Sequence, residues 1–326
     1  MGELAEREVV DDTLHGDLPP GTHLQRTGRL GIGRLPVGFD LHRVALSHGW
    51  CSLTPTAYDG AARTLHRTLL LPSAGPVTVS LSQRRDGHLV ATWGGEVLDA
   101  ADRAAVRLQL RRLLAVDDDL ADLYAACARH PGLGWVEGAA AGRLLRSPTV
   151  FEDLVKTLAT TNCSWALTRS MCRRLVESLG ALGTHGERAF PTPQALARAG
   201  EKHLTEVVRA GYRARAFVEL GERVASGELD PERWLDPALD DDTVLAEILA
   251  LRGFGPYAAQ GMLGFLGRPR GLALDSWVRA KLPRLLCRKA MTVAAIARRY
   301  APLGRWAGMG LWLELTSDWF PSPERP

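Results

Sequence analysis

The sequence predicts an α+β protein in which a small antiparallel β-sheet, in a domain over residues 25–115, precedes an all-α domain over residues 116–326. Two observations predict this class. Between about residues 36 and 100, short runs alternate apolar and polar residues, which is typical of strands. From residue 102 onward, apolar residues recur at helical spacing almost to the end of the chain. Residues 1–24 are acidic and contain a Pro-Pro-Gly stretch, and we expect them to form a flexible leader.

The composition favours a globular intracellular protein. The chain has 326 residues, of which 46% are hydrophobic, enough for a sizeable core and about two domains. We expect neither a signal peptide nor a membrane span, since the N-terminal stretch has no apolar core and no window reaches eighteen apolar residues. The five cysteines include no CxxC pair, so they suggest neither a disulfide framework nor a zinc site. A reducing cytoplasm fits this pattern.

The clearest strand signal is a β-hairpin near residue 85. The runs "VTVSLSQ" (77–83) and "HLVATW" (88–93) flank "RRDG", and a glycine that ends so short a connection is typical of a hairpin turn. β-branched residues that alternate with polar ones predict strands with one buried face. The N-terminal domain is therefore predicted to contain a small antiparallel sheet.

The helical domain begins with "DRAAVRLQLRRLLA" (102–115), in which apolar residues have helical spacing. In "SPTVFEDLVKTLATT" (147–161), Ser147 is the expected N-cap and Pro148 the expected first-turn residue. Glu152 is an acid in that first turn, where it is expected to interact favourably with the helix dipole without a catalytic role. The pattern breaks at "TTNCS", so Asn162 is predicted to lie at a junction between two helices.

A glycine-rich turn joins two further helices. "DDTVLAEILALRG" (241–253) predicts a helix to about Leu251, and Pro256 opens the next helix. Gly253 and Gly255 are both expected to adopt positive φ, with Phe254 as a buried anchor between them. Such a helix-hairpin-helix directs free backbone N–H groups outward. A DNA phosphate can accept hydrogen bonds from them whatever the base sequence is. On this motif alone, an ordinary turn between two helices is an equal alternative.

The last part of the chain is strongly basic, although the net charge of the whole chain is only +3. Between residues 268 and 305, Asp275 is the only acid. The basic residues of this segment are Arg268, Arg270, Arg279, Lys281, Arg284, Arg288, Lys289, Arg298, Arg299 and Arg305. Both a solvated helical face and a surface that binds a polyanion fit this pattern.

Four ordered blocks resemble the helix-hairpin-helix (HhH-GPD) superfamily of DNA glycosylases, in particular its 8-oxoguanine and 3-methyladenine branch. "LRGFGPYAAQGMLGFLGRPRGLALDSWVRAKL" resembles the hairpin, the Gly/Pro-rich loop and the catalytic aspartate. Residues 142–180 resemble its paired helices, "GYRARAFVELGERVASG" its "GYRA" helix and "YAPLGRWAGMGLWLEL" its C-terminal helix. The resemblance covers roughly residues 36–320. It implies a TBP-like antiparallel sheet followed by an all-α glycosylase domain.

The resemblance also implies a role for each matching residue. Asp275 matches the catalytic aspartate. Asn162 matches the side chain that fills the space of the extruded nucleotide. Tyr212 matches the aromatic that wedges into the neighbouring stack, and Arg213 an arginine that faces the orphaned base. The hairpin segment matches DNA-contacting positions at Gly253, Phe254, Gly255, Tyr257, Ala258 and Arg279. The last helix implies a base pocket at Asp318, Trp319 and Phe320.

Departures from the family pattern narrow the implied activity. Tyr257 stands where bifunctional relatives have the lysine that forms a Schiff base, which implies a monofunctional enzyme without AP lyase activity. Only Cys287 follows the aspartate, so no iron–sulfur cluster is expected. No other cofactor or metal is expected, and a monovalent cation at the hairpin is left open. Cys163 and Leu167 replace an asparagine and an arginine, which leaves the opposite-base preference open.

Other conspicuous residues are assigned structural roles. Trp165, Trp277, Trp306 and Trp312 lie in helical apolar patterns, and we expect them in the core. The tripeptide His48-Gly49-Trp50 falls where the family's backbone reaches the flipped base, but its match to that motif is poor.

The sequence thus predicts a monofunctional DNA glycosylase of base excision repair. It is expected to be a monomeric, nucleoid-associated protein of the cytoplasm that flips a damaged purine, alkylated or oxidised, out of double-stranded DNA and hydrolyses its N-glycosidic bond. Two alternatives stay open: a glycosylase for a modified pyrimidine, and a non-catalytic helix-hairpin-helix protein that binds DNA.

Overall fold

The computed structural model describes residues 26–95 and 97–319. These residues form an antiparallel sheet and many helices, so the protein is α+β, as predicted. The predicted leader, residues 1–24, lies outside the described residues. In the part of the chain that the structure describes, no helix is long and apolar enough to cross a membrane.

The sheet has five strands: β1 (Arg26–Gly31), β2 (Thr56–Asp59), β3 (Thr64–Leu71), β4 (Gly75–Gln83) and β5 (Leu89–Gly94). Their order is β1-β5-β4-β3-β2, and all neighbours are antiparallel. The predicted hairpin is confirmed, because β4 and β5 pair from Val79 opposite Trp93 to Gln83 opposite Leu89.

The α-helices of the described chain are α1 (Leu41–Ala45), α2 (Ala100–Leu113), α3 (Ala121–Cys127), α4 (Trp135–Gly138), α5 (Val150–Thr160), α6 (Trp165–Leu179), α7 (Pro193–Glu206), α8 (Ala214–Ala225), α9 (Asp241–Leu249), α10 (Pro256–Phe265), α11 (Ser276–Leu285), α12 (Val293–Tyr300) and α13 (Ala307–Leu315). Short 3-10 helices occur at Gly49–Ser52, Gly211–Arg213, Pro231–Leu235 and Ala301–Trp306.

Backbone contacts group the chain into two units. The first unit is Met1–Asp117 with Leu144–Arg233, and the second is Asp118–Arg143 with Trp234–Pro326. The first unit joins the sheet to α5–α8, so this grouping does not follow the predicted boundary between residues 115 and 116. Its physical basis is a shared core, since Arg67 of β3 forms a buried ion pair with Glu152 of α5. The predicted domain ranges stay a prediction.

In the first unit, α5 begins two residues later than the sequence suggested. Thr149 is the N-cap, and its hydroxyl accepts a hydrogen bond from the Glu152 N–H at 3.2 Å. Ser147 is not the cap and Pro148 is not in the first turn, because Ser147 is buried and its N–H donates to the Asp153 carboxylate at 2.8 Å. The helix ends at Thr160 and α6 starts at Trp165, so the predicted junction at Asn162 is confirmed.

The two acids at the start of α5 are core residues. Glu152 accepts hydrogen bonds from Arg67 and from the Lys156 ammonium at 2.7 Å, and all three side chains are at least 97% buried. Asp153 accepts from the Trp50 indole at 2.9 Å and from Arg112 at 3.0 Å. Burial raises the pKa of Glu152, but the charges of Arg67 and Lys156 outweigh burial and hold that pKa below its ordinary value. Glu152 does lie in the first turn of the helix, as predicted, and it is in addition the anion of a buried ion-pair cluster.

In the second unit, α9 and α10 pack as a pair. Arg268, in the loop that follows α10, binds the start of α9 and the residues before it. Its guanidinium donates to the carbonyl oxygens of Trp234 at 3.2 Å and Leu239 at 2.7 Å, and to the Asp241 carboxylate at 2.7 Å. α11 and α12 both pack against α13. Glu314 of α13 accepts a hydrogen bond from the Tyr300 hydroxyl at 2.6 Å and pairs with Arg299. Arg268 therefore ties the loop after α10 to the start of α9, and Glu314 ties α13 to the end of α12.

Candidate functional site

The turn between α9 and α10 has the predicted anchor but not the predicted backbone. Phe254 is 5% exposed, and its N–H donates to the Leu251 carbonyl at 3.2 Å. Gly253 has a φ of +87°, in the left-handed region that favours glycine. Gly255 does not: its φ is −86° and its ψ is 178°. The expectation of positive φ at both glycines was wrong for Gly255, because that residue is the extended N-cap of α10.

The backbone at Gly255 is unstrained, so the effect of a glycine there is to leave the space in front of α10 empty. A Cβ built on Gly255 meets nothing within 4 Å, and Gly255 provides no side chain to cap α10. The first N–H groups of a helix have no partner inside the helix, and Pro256 has no N–H at all, so Tyr257 and Ala258 supply the free donors. Ala258 as a whole is only 3% exposed, so its predicted contact with DNA stays a prediction. The N-terminus of α10 thus offers backbone donors to an unobstructed surface.

Asp275 is a half-buried carboxylate held in a fixed position at the N-terminus of α11. Its Oδ1 accepts a hydrogen bond from the Val278 N–H at 2.8 Å and caps the helix. The Tyr257 hydroxyl lies beside the same carboxylate. Burial of this hydroxyl, together with the adjacent Asp275 charge, raises the pKa of Tyr257 to about 12, although 42% of the residue as a whole is exposed. The Asp275 carboxylate therefore lies beside the neutral hydroxyl of a residue in the first turn of α10.

The basic segment is less cationic than its sequence suggests. Half of its ten basic residues pair with acids: Arg268 with Asp241, Arg270 with Asp242, Lys281 with Asp318, Arg299 with Glu314 and Arg305 with Asp122. Four others are exposed and have no ion-pair partner in the described ranges: Arg279, Arg288, Lys289 and Arg298. The positive charge available to a ligand comes chiefly from these four.

An aromatic cluster beyond Asp275 corrects the expectation that Trp277 and Trp312 are core residues. Both are half-buried, and their rings lie 6.0 Å apart, while Trp312 meets the Trp319 ring edge to face at 5.7 Å. Trp306 is 8% exposed and does belong to the core. Of the expected base-pocket residues, Trp319 joins this cluster, Asp318 pairs with Lys281, and Phe320 lies outside the described residues. The signal that sequence reasoning missed is the position of Trp277, two residues after Asp275.

The three residues expected to replace the flipped nucleotide meet in the first unit. Asn162 is exposed with a φ of +46°, and its amide donates to the Tyr212 hydroxyl at 3.4 Å. Tyr212 is 65% exposed and donates to the Thr161 carbonyl at 3.3 Å. Arg213 is only 6% exposed, because its guanidinium lies over the Tyr212 ring at 4.5 Å and donates to Thr161. The structure thus pairs two exposed side chains with an arginine that supports them.

The segment His48-Gly49-Trp50 is buried. His48 lies with Nε2 2.6 Å from the Leu145 carbonyl, and its Nδ1 accepts from the Trp50 N–H at 3.4 Å. Burial lowers the pKa of His48 to about 4, so the imidazole is neutral near pH 7. A Cβ on Gly49 would collide with the Trp165 ring at 2.3 Å. In this structure the segment belongs to the core of the first unit.

Comparison with known proteins gives matches in structure only. No protein-family model matches the sequence, and no curated protein sequence matches it. A 3-methyladenine DNA glycosylase from Archaeoglobus fulgidus has a TM-score of 0.68 at 18% identity, over 91% of this chain and 100% of that one. The apo 8-oxoguanine glycosylase/lyase of Clostridium acetobutylicum has a TM-score of 0.68 at 19% identity, over 92% and 99%. Its complex with double-stranded DNA that contains cytosine opposite 8-oxoguanine has a TM-score of 0.65 at 20% identity, over 86% and 93%. At these identities the likeness shows a shared fold.

Proposed function

We propose that this protein is a monofunctional DNA glycosylase of base excision repair that removes a damaged purine, alkylated or oxidised, from double-stranded DNA. The observation that carries the proposal is the Asp275 carboxylate, fixed by the Val278 N–H and facing Tyr257 on the helix that follows the glycine hairpin. The proposal is also supported by the fold, which this chain shares with solved DNA glycosylases over nine-tenths of its length. In this proposal the sheet corresponds to a TBP-like domain and the hairpin to the HhH-GPD motif.

DNA would be held through its backbone. The free N–H groups of Tyr257 and Ala258, beside the open space at Gly255, suit one phosphate at the positive end of the α10 dipole. Arg279 and the other exposed cations of the second unit add attraction to neighbouring phosphates. Neither interaction reads base sequence, which suits an enzyme that must inspect every purine. A monovalent cation at the hairpin and the absence of an iron–sulfur cluster are part of the proposal.

Asp275 would act on charge that exists only during the reaction. As the N-glycosidic bond breaks, its electron pair leaves with the base and positive charge develops on the deoxyribose, as in other glycoside hydrolyses. A fixed carboxylate stabilises that charge and orients a water, whose oxygen bonds to the sugar carbon. One proton of that water goes to the carboxylate or solvent, the other stays on the new hydroxyl, and the departing base takes up a proton from solvent. Tyr257 would stand beside the carboxylate as a neutral hydroxyl and add no charge to the site. Asp275 is therefore the proposed catalytic residue.

The product would be intact abasic DNA. Strand cleavage by a bifunctional enzyme needs an amine that forms a Schiff base with the sugar, and Tyr257 stands at the matching position. Of the four lysines, Lys156 is buried with Glu152 and Lys281 is held by Asp318. Tyr257 is neutral and has no amine, which supports hydrolysis of the N-glycosidic bond by water.

The first unit would supply the side chains that replace the extruded nucleotide. A base is accessible to chemistry only outside the stack, and extrusion costs a few kcal/mol that side chains in the vacated space help to offset. Asn162 and Tyr212 are exposed and linked by a hydrogen bond, as this role needs. Arg213 would fix Tyr212 and Thr161 in place, and its predicted contact with the orphaned base stays a prediction.

The test is base release from duplexes that carry 8-oxoguanine, hypoxanthine, 7-methylguanine or uracil, by wild type and Asp275→Asn. Asparagine caps helices about as well as aspartate, so this variant should fold normally while losing about 100-fold or more of the single-turnover rate. Strands should break only after alkali treatment. Borohydride trapping of the protein on DNA would refute the monofunctional claim. Release of uracil alone would favour the pyrimidine alternative, and tight binding of every duplex with no release would favour a non-catalytic DNA-binding protein.

A further inference from the structure

The loop that leads to Asp275 lies against the first turn of α13. This loop, residues 267–274, joins α10 to α11. Its Pro269 carbonyl accepts hydrogen bonds from the Gly308 N–H at 2.8 Å and from the Met309 N–H at 3.3 Å. The first N–H groups of a helix have no partner inside it, and the N-cap residue of α13, Trp306, gives no side-chain hydrogen bond to them. The loop backbone therefore serves as the cap of α13.

Glycine at position 308 allows this close contact. A Cβ built on Gly308 would lie 2.1 Å from the Gly271 carbonyl oxygen and 2.8 Å from that of Pro269. Both oxygens belong to the backbone, so no rotation of a side chain could relieve such an overlap. We call the contact between Gly308 and loop residues 269–271 the loop–α13 contact.

The same stretch of chain meets α10 at two places. A Cβ on Gly271 would lie 1.3 Å from Gln260 Oε1, so the Gln260 side chain occupies the space beside Gly271. Further along, the Asp275 carboxylate lies beside the Tyr257 hydroxyl. Tyr257 and Gln260 are three residues apart on α10 and therefore lie on the same face of that helix. The stretch from Gly271 to Asp275 thus follows one face of α10, while Gly271 also touches α13.

We infer that Gly308 is a positioning residue for the proposed reaction: by admitting the loop backbone to the first turn of α13, it determines where the Asp275 carboxylate lies relative to Tyr257. This inference rests on the proposed function. Residues 272–274, which belong to no helix or strand, are all that separate Gly271 from Asp275. A shift of the loop at Gly271 is therefore passed along a short stretch of chain to the carboxylate.

The test substitution is Gly308→Ala. Carbon and oxygen atoms in contact lie about 3.3 Å apart, so the added methyl group should displace the loop from α13 by about 1 Å. A displacement of about 1 Å at the reacting groups can cost about 100-fold in rate, and we expect single-turnover base release to slow by about that factor. Duplex affinity should be unchanged, because the hairpin N–H groups and the exposed cations are not altered. Alanine is a better helix former than glycine, so α13 itself should fold normally.

The matched control is Gly261→Ala. Gly261 lies inside α10, and a Cβ there meets nothing within 4 Å, so its rate should equal that of wild type. A second variant, Pro269→Gly, keeps the acceptor carbonyl but frees the loop backbone, so it should also slow excision, without any overlap. Circular dichroism and urea unfolding establish that each variant is folded under the assay conditions. If Gly308→Ala does not fold, Pro269→Gly alone decides.

Three outcomes of these assays would overturn the inference. One is a rate equal to that of wild type in every folded variant of the loop–α13 contact. Another is an equal loss of rate in Gly261→Ala. The third is a loss of duplex affinity in Gly308→Ala as large as its loss of rate, because a displaced carboxylate slows the reaction without weakening the hold on DNA.

A second readout does not depend on base excision. In protein labelled with ¹³C-tyrosine, the ζ-carbon resonance of Tyr257 reports the charge beside its hydroxyl, and Tyr257→Phe identifies that resonance. Asp275→Asn should shift the resonance in wild type and shift it less in Gly308→Ala, where the carboxylate has moved. Equal shifts in both backgrounds would overturn the inference. If wild type releases no base from any duplex, the proposed function is wrong, and the resonance still shows whether Gly308 positions the carboxylate.

Discussion

The buried cluster of Arg67, Glu152 and Lys156 allows a stability prediction from its geometry. Glu152→Gln keeps the shape of the side chain but leaves two cations, 3% and 1% exposed, without their shared anion. Removing one partner of a buried ion pair costs about 3–5 kcal/mol, since the remaining charge cannot return to water. We therefore expect the free energy of unfolding to fall by about 4 kcal/mol and Tm by about 8–16 °C.

A double-mutant cycle separates this charge effect from a loss of packing. Adding Lys156→Met to Glu152→Gln removes one of the two stranded cations and places an apolar chain in an apolar site. The double variant should be about 1–3 kcal/mol more stable than the sum of the single changes predicts. Urea unfolding of the four proteins measures this coupling.

The matched control is Glu177→Gln on α6. Glu177 pairs with Arg173 at 2.9 Å, but the two side chains are 54% and 46% exposed, so the same change of acid to amide should cost less than about 1 kcal/mol. The reasoning fails if Glu152→Gln is no more destabilising than this control, or if the double variant shows additive effects.

Three further predictions concern pH, the hairpin and base replacement. The pKa of His48 is about 4 in the folded protein and 6.5 in the unfolded chain. The unfolded chain therefore binds a proton more readily, and the free energy of unfolding should decrease by roughly 3 kcal/mol as pH falls from 6.5 to 4. Urea unfolding at pH 7, 5.5 and 4 should show this loss in wild type and not in His48→Gln; equal losses would refute it. Gly253→Ala should cost about 1–2 kcal/mol because φ is +87°, whereas Gly255→Ala should leave stability unchanged but weaken duplex binding in fluorescence anisotropy. Normal binding by Gly255→Ala would argue against a phosphate at that space. Tyr212→Ala should slow excision from duplex DNA about 10-fold or more and barely affect excision from single strands, since only the duplex requires the stack to be opened. Equal slowing on both substrates would remove Tyr212 from that role.

The sequence alone determined the features that depend on local backbone preference. Alternation of apolar and polar residues around "RRDG" was sufficient to predict the β4–β5 hairpin. Helical spacing, interrupted at a run of poor helix formers, predicted the junction that contains Asn162. Glycine and proline at 253–256 predicted the turn between α9 and α10. Each of these depends on residues within a few positions of one another.

The tertiary structure decided how polar and aromatic side chains are paired. Glu152 meets Arg67 across 85 positions, and Lys281 meets Asp318 across 37. Local patterns predicted only a first-turn acid at Glu152 and one member of a basic segment at Lys281. They could not predict the ion pairs, because the burial that forces charges into pairs depends on which distant segments cover them. The same holds for Tyr257 at Asp275, for the clustered tryptophans and for the buried Arg213. Periodicity determines which face of an element turns inward, but only the packed chain determines which partner lies there.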